Sequence, residues 1–190
     1  MVGAKAQLTL AVGVWLAVSG ALAAAPDASL VVDGACRDGA AQGRYELRTT
    51  RGTLRVAGAF NHGGRTGSFI FWNDVGSRIA HVPYDEDVRN GTLATWFDAA
   101  SGGEPLRRDQ SAWRRGARDG STRTWYRDGR RRTEAEFAKG ALVTASAWSE
   151  AGAKLAEHAA RELVLRDVAA ADARYEQLET LIRAHLPQCD

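Results

Sequence analysis

Short runs of aromatic and β-branched residues recur along this chain, separated by glycine, asparagine and aspartate. The runs at 68–72 (SFIFW) and 92–96 (TLATW) have the composition of β-strands that end in turns. A second strand follows each turn, as at 130–137 after Asp128-Gly129, a dipeptide typical of hairpins. The pattern therefore predicts consecutive β-hairpins that pair as an antiparallel meander.

The aromatic and glycine positions of these hairpins repeat at a fixed spacing. Units begin at 36, 60, 84, 113 and 137, so the period is 24 residues except where the third unit carries a five-residue insertion. A fixed period of this length is typical of repeats that stack side by side. We predict about five stacked hairpins, with these structural positions: Phe60, Gly67, Trp72, Gly76, Tyr84, Gly91, Trp96, Trp113, Gly120, Trp125, Gly129, Phe137, Gly140, Trp148 and Gly152.

Residues one period apart are expected to lie above one another in the stack, so the aromatic positions predict two ladders. The first comprises Trp72, Trp96, Trp125 and Trp148, and the second comprises Phe60, Tyr84, Trp113 and Phe137. Core packing accounts for these ladders better than ligand binding, because each buried aromatic contributes a few kcal/mol. The first unit departs from the pattern, since Cys36 and Arg48 stand at its aromatic positions.

The pattern changes after the last unit. Residues 169–186 contain no glycine or proline, and an apolar residue recurs every three or four positions (Ala171, Tyr175, Leu178, Ile182). This predicts an amphipathic helix that Asp167 caps and Pro187 ends. The segment 154–166 is compatible with the same helix or, through 163–165, with a last strand. We expect the helix to act as a cap that protects an open edge of the array.

The N-terminus predicts export. Lys5 precedes an apolar stretch at 8–18, and Ala21-Leu22-Ala23 has the form of a signal-peptidase site. The alternative is an uncleaved membrane anchor, for which the stretch is short. We predict a signal peptide at 1–23, a linker at 24–35, the repeat array at 36–158 and a helical cap at 159–190. The mature protein would be periplasmic or secreted, with no membrane span.

Two cysteines acquire significance in an oxidising compartment. Cys36 opens the first unit and Cys189 is the penultimate residue, so we predict a disulfide that ties the start of the array to its C-terminal element. The alternatives are two separate thiols or a lipid-modified Cys36. Lipidation is disfavoured because Asp33-Gly34-Ala35 lacks the apolar residue that such a site requires.

The glycine- and aromatic-spaced hairpin resembles the MORN repeat, and more closely the MORN variant of bacterial YwqK-type antitoxins. The resemblance covers residues 36–152. It implies an elongated antiparallel sheet that serves as a binding or scaffolding surface, without a shared catalytic residue. Because an exported protein does not neutralise a cytoplasmic toxin, an antitoxin-like role here would mean immunity against an agent that acts in the envelope.

Charge singles out one segment of the chain. The net charge of +2 predicts no partner, and 22 of the 25 basic residues are arginine. Ten arginines and three aspartates occupy 107–132, and guanidinium groups suit phosphates and carboxylates. The candidate anion-binding residues are Arg107, Arg108, Arg114, Arg115, Arg130, Arg131 and Arg132. A solvated charged face is the alternative.

Nothing in the pattern of titratable residues favours catalysis. The four histidines have no metal-ligand spacing, Asp85-Glu86-Asp87 lacks the order of a calcium loop, and Ser101-Gly102-Gly103 is not a nucleophile elbow. We predict a non-enzymatic protein without metal or cofactor that binds another envelope protein. Anionic lipid or lipopolysaccharide is the second candidate partner, and nucleic acid is not expected in that compartment. The competing hypothesis is an enzyme with a cleft between sheet and helix, which would use a carboxylate with Arg107 and Arg108.

Overall fold

The structure, a computed structural model, describes residues 30–99 and 105–190. These residues form one antiparallel sheet and one C-terminal helix, so the predicted β-meander with a helical cap is confirmed. The strands follow one another across the sheet in chain order, with the short β6 paired beside β7 on β5. Their bounds are β1 Leu30–Arg37, β2 Ala40–Thr49, β3 Leu54–Asn61, β4 Gly64–Trp72, β5 Arg78–Asp85, β6 Val88–Arg89, β7 Gly91–Trp96, β8 Arg107–Arg114, β9 Ala117–Trp125, β10 Arg131–Ala138 and β11 Ala141–Ala147, and helix α1 spans Glu157–Arg183.

Five two-residue turns lie along one end of the sheet, one in each repeat unit. Both residues of each turn have positive φ, as in a type I′ turn: Asp38-Gly39, His62-Gly63, Glu86-Asp87, Arg115-Gly116 and Lys139-Gly140. The twist of this turn type matches the twist of the strands that it joins. Each predicted unit in the described residues is therefore one hairpin.

A different turn links successive hairpins at the other end of the sheet. The Asn73 N–H donates to the Ser77 carbonyl at 3.0 Å, and the Gly76 N–H donates to the Asn73 carbonyl at 3.1 Å. The same pair of bonds recurs at 49–53, 126–130 and 149–153. In the third unit the link is longer, and the Phe97 N–H donates to the Leu106 carbonyl across the insertion. Residues 100–104 of that insertion, with Ser101-Gly102-Gly103, lie outside the described residues.

The two aromatic positions of the repeat lie on opposite faces of the sheet. The first position faces α1 and is buried in Phe60, Tyr84, Trp113 and Phe137. Each tryptophan of the second position follows a residue buried on the α1 face, so it points to the other face. We call this second surface, which α1 does not cover, the open face.

The tryptophans of the open face do not stack on one another, which corrects the predicted indole ladder. The Arg78 and Arg107 guanidinium groups lie 4.2 and 5.2 Å from the centre of the Trp96 ring, and Arg131 lies 5.6 Å from that of Trp125. The reason is geometric: equivalent residues are two strands apart, about 10 Å, and a residue of the intervening strand fills the gap. Arginine and tryptophan therefore alternate along this row.

Helix α1 crosses the α1 face of the sheet from one edge strand to the other. Near its start, Ala160 packs on β11 and Val164 packs on β10. Near its end, Ile182 packs in the cluster formed by β2–β5. Just after the helix, the His185 carbonyl accepts a hydrogen bond at 2.9 Å from the Tyr45 hydroxyl on β2. Its 27 residues span about 40 Å, and ten adjacent strands are about 43 Å wide. The helix therefore covers a face of the sheet, which corrects the prediction that it protects an open edge of the array.

The helix begins ten residues before the predicted cap. Ala156 occupies the N-cap position, and Asp167 lies inside the helix, where its side chain contacts the sheet. Leu163 and Val164 face the sheet while Leu165 is 52% exposed, so the ambiguous segment is helical. The helix ends at Arg183, short of the predicted end at Pro187. The predicted apolar face is otherwise confirmed, since Ala171, Tyr175 and Ile182 are buried and Leu178 packs beside them.

The array also extends beyond its predicted start. Strand β1 begins at Leu30, inside the segment predicted as a linker, because Leu30 and Val32 alternate onto the α1 face and pack against the core. The predicted signal peptide at 1–23 lies outside the described residues. No helix among the described residues is long and apolar enough to cross a membrane.

Cys36 and Cys189 form a disulfide, as predicted, with their Cα atoms 5.6 Å apart. Cys36 occupies the first aromatic position of its unit, so a covalent bond to the C-terminal segment stands where the other units place a buried ring. The same segment passes so close to β1 that a Cβ on Gly34 would lie 2.8 Å from Pro187. The C-terminus is therefore held on the first hairpin.

Candidate functional site

Beneath the middle of α1, polar residues replace apolar residues at two positions of the repeat. Four residues before the first aromatic position, three units carry Val56, Ala80 and Thr133, whereas the fourth unit carries Asp109. The position before the tryptophan changes from Phe71 to threonine in the third and fourth units. A polar cluster therefore interrupts the apolar core, and departures from an otherwise consistent pattern are where functional sites are expected.

Asp109 is the centre of this cluster and is only 1% exposed. Its carboxylate accepts hydrogen bonds from the Tyr175 hydroxyl at 2.7 Å, from Arg174 at 2.8 Å and from the Thr95 hydroxyl. Burial raises the pKa of Tyr175, and the neighbouring Asp109 carboxylate raises it further. Because three donors occupy Asp109, its role is to anchor α1 to β7 and β8.

A second polar contact repeats along the helix. Arg65, Arg89 and Arg118 each lie five residues after the first aromatic position of their units. Arg89 and Arg65 lie 2.8 and 3.4 Å from the Glu179 carboxylate, and Arg118 lies 2.7 Å from Asp172. The two acids are seven residues apart and so share one side of α1. The spacing of both sets of residues is visible in the sequence, whereas the apolar stripe of the helix gives no indication of these ion pairs.

Replacement of Glu179 by glutamine is expected to cost about 1–3 kcal/mol of stability at pH 7, because Arg89 would lose its buried counter-charge. Burial by itself would raise the pKa of Glu179, but hydrogen bonds from Arg89 and Tyr84 outweigh it and lower that pKa below the usual value of 4.5. The contribution of Glu179 is therefore present above pH 4.5 and lost as pH falls through the lower folded-state pKa. Urea unfolding of both proteins from pH 7 to pH 3 measures this loss.

Glu176→Gln is the matched control, since Glu176 lies on the same helix and is mostly exposed. We expect it to change stability by less than about 0.5 kcal/mol. If the difference in the free energy of unfolding between wild type and Glu179→Gln stayed constant down to pH 3, the stabilising role of the Glu179 carboxylate would be contradicted.

A cleft of about 520 Å³ opens between α1 and the linking turns of the fourth and fifth units. Phe97 and Tyr126 contribute aromatic walls, and Thr124 lies where an earlier unit has phenylalanine. Five arginines and three carboxylates line it: Arg108, Arg127, Arg130, Arg132, Arg174, Asp128, Glu150 and Asp167. We refer to this site as the arginine cleft.

Most charges of the arginine cleft are paired. Arg132 lies 2.9 Å from Asp167, and Arg130 lies 2.6 Å from Asp128. Among the described residues, neither Arg108 nor Arg127 has a carboxylate within ion-pair distance. Instead, their guanidinium groups lie 5.4 and 4.8 Å from the centre of the Phe97 ring. Burial lowers the pKa of Arg108, and the neighbouring Arg174 and Arg127 lower it further.

The structure distributes the predicted anion-binding arginines over three places. Arg108, Arg130 and Arg132 line the arginine cleft. Arg107 and Arg131 stack on tryptophans of the open face, and Arg114 and Arg115 lie at the opposite, type I′ end of the sheet. Phe97, Arg127 and Arg174 also line the cleft and were not among the predicted residues. Phe97 and Arg127 come from the links after β7 and β9, and Arg174 comes from α1.

The other candidate polar groups are engaged in local contacts. Asp87 binds Arg65 at 2.5 Å and the Arg65 backbone N–H, so the acidic turn at 85–87 is tied to the preceding hairpin. His158 and Glu162 lie 3.3 Å apart on the exposed side of α1. Within residues 30–99 and 105–190, no three histidine, cysteine or acidic side chains come together as metal ligands.

The open face carries an uncharged strip beside its tryptophan–arginine row. Pairing of adjacent strands places Ala57, Ile70, His81 and Ala94 side by side across β3, β4, β5 and β7. Burial and the neighbouring Arg78 lower the pKa of His81, whose Nε2 lies 2.9 Å from the Ser68 hydroxyl. The centre of the face is therefore uncharged at neutral pH, with cations along one side.

No protein-family model matches this chain, and neither does any of the curated proteins with which it was compared.

Proposed function

We propose that this chain is an exported, non-enzymatic repeat protein that binds an acidic protein partner in the cell envelope through its open face. The observation that carries the proposal is the row in which Arg78 and Arg107 cover the ring of Trp96. Trp96 is only 8% exposed, so at this point the row presents the two arginines to a partner and the indole holds them in place. Tryptophan and arginine are the residue types most enriched in the energetic centres of protein interfaces. Export rests on the N-terminal segment, and the resemblance to MORN repeats and YwqK-type antitoxins supports a binding role.

The dimensions of the open face suit such a partner. Ten strands about 43 Å wide and about 26 Å long give a face of about 1,100 Å². A typical stable interface buries about 800 Å² on each partner. One side of the sheet is already occupied by α1, so this surface supplies the required area without rearrangement of the fold.

Charge selects the kind of partner. Arg78 and Arg107 have no carboxylate within ion-pair distance among the described residues. The Arg107 guanidinium donates a hydrogen bond to the neutral side chain of Gln110. A second copy of this chain would bring arginine against arginine, which is repulsive. An acidic surface would neutralise both cations, and masking of an acidic envelope-acting toxin is a specific form of this function.

The test is capture of the partner from a periplasmic extract by the purified full chain, with Arg78→Glu/Arg107→Glu as the variant. We expect one captured protein with an acidic isoelectric point, weaker capture at high salt, and at least a tenfold loss of affinity in the variant. Arg114→Glu/Arg115→Glu is the matched control, because it reverses two charges at the opposite end and Glu86 already occupies the turn position of Arg115 in another unit. Equal capture by both variants, or self-association in light scattering, would refute the proposal.

A further inference from the structure

Two independent departures from the repeat meet at the arginine cleft. The insertion of the third unit follows Phe97, and the polar substitutions of the third and fourth units place Thr95, Asp109 and Thr124 under α1. The polar substitutions replace apolar packing that the second unit retains through Val56 and Phe71. The cavity lies beside them, at one point of an otherwise regular array, which is where a ligand site is expected.

The cleft contains more positive charge than its own acids neutralise. Asp128 and Asp167 are paired with Arg130 and Arg132, and Glu150 lies near Arg130 as well. Arg174 is held by the buried Asp109. Arg108, from strand β8, and Arg127, from the turn after β9, have no carboxylate within ion-pair distance among the described residues. Asp98 and Asp109 act on Arg108 only at longer range. Both guanidinium groups lie beside the Phe97 ring.

We propose that the arginine cleft binds the phosphate group of a small phosphorylated molecule, with Arg108 and Arg127 as its direct ligands and Phe97 as the wall against which they are held. A phosphate monoester carries about two negative charges at neutral pH and three terminal oxygens, so it accepts hydrogen bonds from both guanidinium groups. A carboxylate offers one charge and two oxygens. The planar guanidinium fork also matches phosphate oxygens better than an ammonium group would.

The volume of the cleft fixes the scale of the ligand. About 520 Å³ lies within the range of sites for small organic molecules and far exceeds the space needed by phosphate alone. Phe97 and Tyr126 provide apolar surface for the rest of the ligand. A free sugar phosphate and the phosphorylated headgroup of a lipid share this chemistry, and the experiment separates them.

Isothermal titration calorimetry of the full chain with glucose 1-phosphate tests the proposal, with glucuronate as the carboxylate probe at matched ionic strength. We expect binding of glucose 1-phosphate, at least tenfold weaker binding of glucuronate, and at least a tenfold loss of phosphate affinity in Arg108→Gln and in Arg127→Gln. Arg114→Gln, which removes one exposed arginine at the opposite end of the sheet, is expected to bind like wild type. Near-ultraviolet circular dichroism verifies that each variant is folded.

A second arm uses vesicles of phosphatidylcholine with and without phosphatidate. Vesicle binding that requires phosphatidate and Arg108, without binding of glucose 1-phosphate, would identify a lipid headgroup as the phosphate source and support the inference. Failure of both phosphate probes, equal binding of glucuronate, or unchanged affinity in Arg108→Gln and Arg127→Gln would overturn it. The open-face variant Arg78→Glu/Arg107→Glu should retain phosphate binding, so the outcome is independent of the proposed protein partner.

Discussion

Asp109→Ala is expected to destabilise the protein by about 3–5 kcal/mol, the cost of breaking a buried ion pair and leaving its partner uncompensated. The substitution removes the acceptor shared by Arg174, Tyr175 and Thr95. Water cannot replace it easily because the site is almost fully buried. Urea unfolding at pH 7, monitored by far-ultraviolet circular dichroism, measures this loss of stability.

Asp119→Ala provides the comparison for this prediction. Asp119 lies on the neighbouring strand β9, is partly exposed, and has one arginine at 3.5 Å. Such pairs contribute less than about 1 kcal/mol. If the two variants lose the same stability, Asp109 does not anchor the helix.

Removal of the disulfide by Cys36→Ser/Cys189→Ser is expected to cost about 2–5 kcal/mol. The bond joins residues 153 positions apart, so its loss greatly enlarges the conformational freedom of the unfolded chain. The C-terminal segment would then be held on the first hairpin mainly by the hydrogen bond from Tyr45 to the His185 carbonyl and by packing at Pro187. Guanidinium unfolding of both proteins gives the difference in free energy.

A reducing agent supplies the control. Dithiothreitol should lower the stability of wild type to that of the double variant and leave the variant unchanged. A wild-type protein whose unfolding midpoint is insensitive to the reductant would contradict this prediction.

The repetitive part of the fold was accessible from the sequence because its determinants are local. A two-residue turn with positive φ requires residues such as Gly63 and Gly116, and a strand requires a short run such as 68–72. Both signals recur with the period and reinforce each other. The number of hairpins and their order across the sheet follow from them.

Contacts between side chains that are distant along the chain were less accessible. The aromatic spacing correctly placed the tryptophans on one face but gave no information about the strand between them, where Arg78 and Arg107 stack. Similarly, apolar periodicity located Tyr175 but not its contact with Asp109. The first contact depends on the residues of the intervening strand, and the second depends on the direction in which α1 crosses the sheet. No local pattern encodes either of them.

The arginine cleft was likewise predictable only in part. Arg108, Arg130 and Arg132 were candidates because they cluster in the chain, yet Arg107 and Arg131 beside them face the other way. Strand alternation and irregular pairing near Trp96 and Arg131 decide which side each residue takes. Arg174 joins the cleft from a helix some 40 positions later.

The length of α1 limits how many hairpins this chain can contain. In an open repeat array a copy can be gained or lost without consequence for the others. Here one more hairpin would widen the sheet by about 10 Å, so the helix would need roughly six more residues to reach the first hairpin and its cysteine. Duplication of a unit must therefore be accompanied by a change in a distant segment, and the copy number of the array is expected to stay fixed wherever the helix and its covalent attachment are retained.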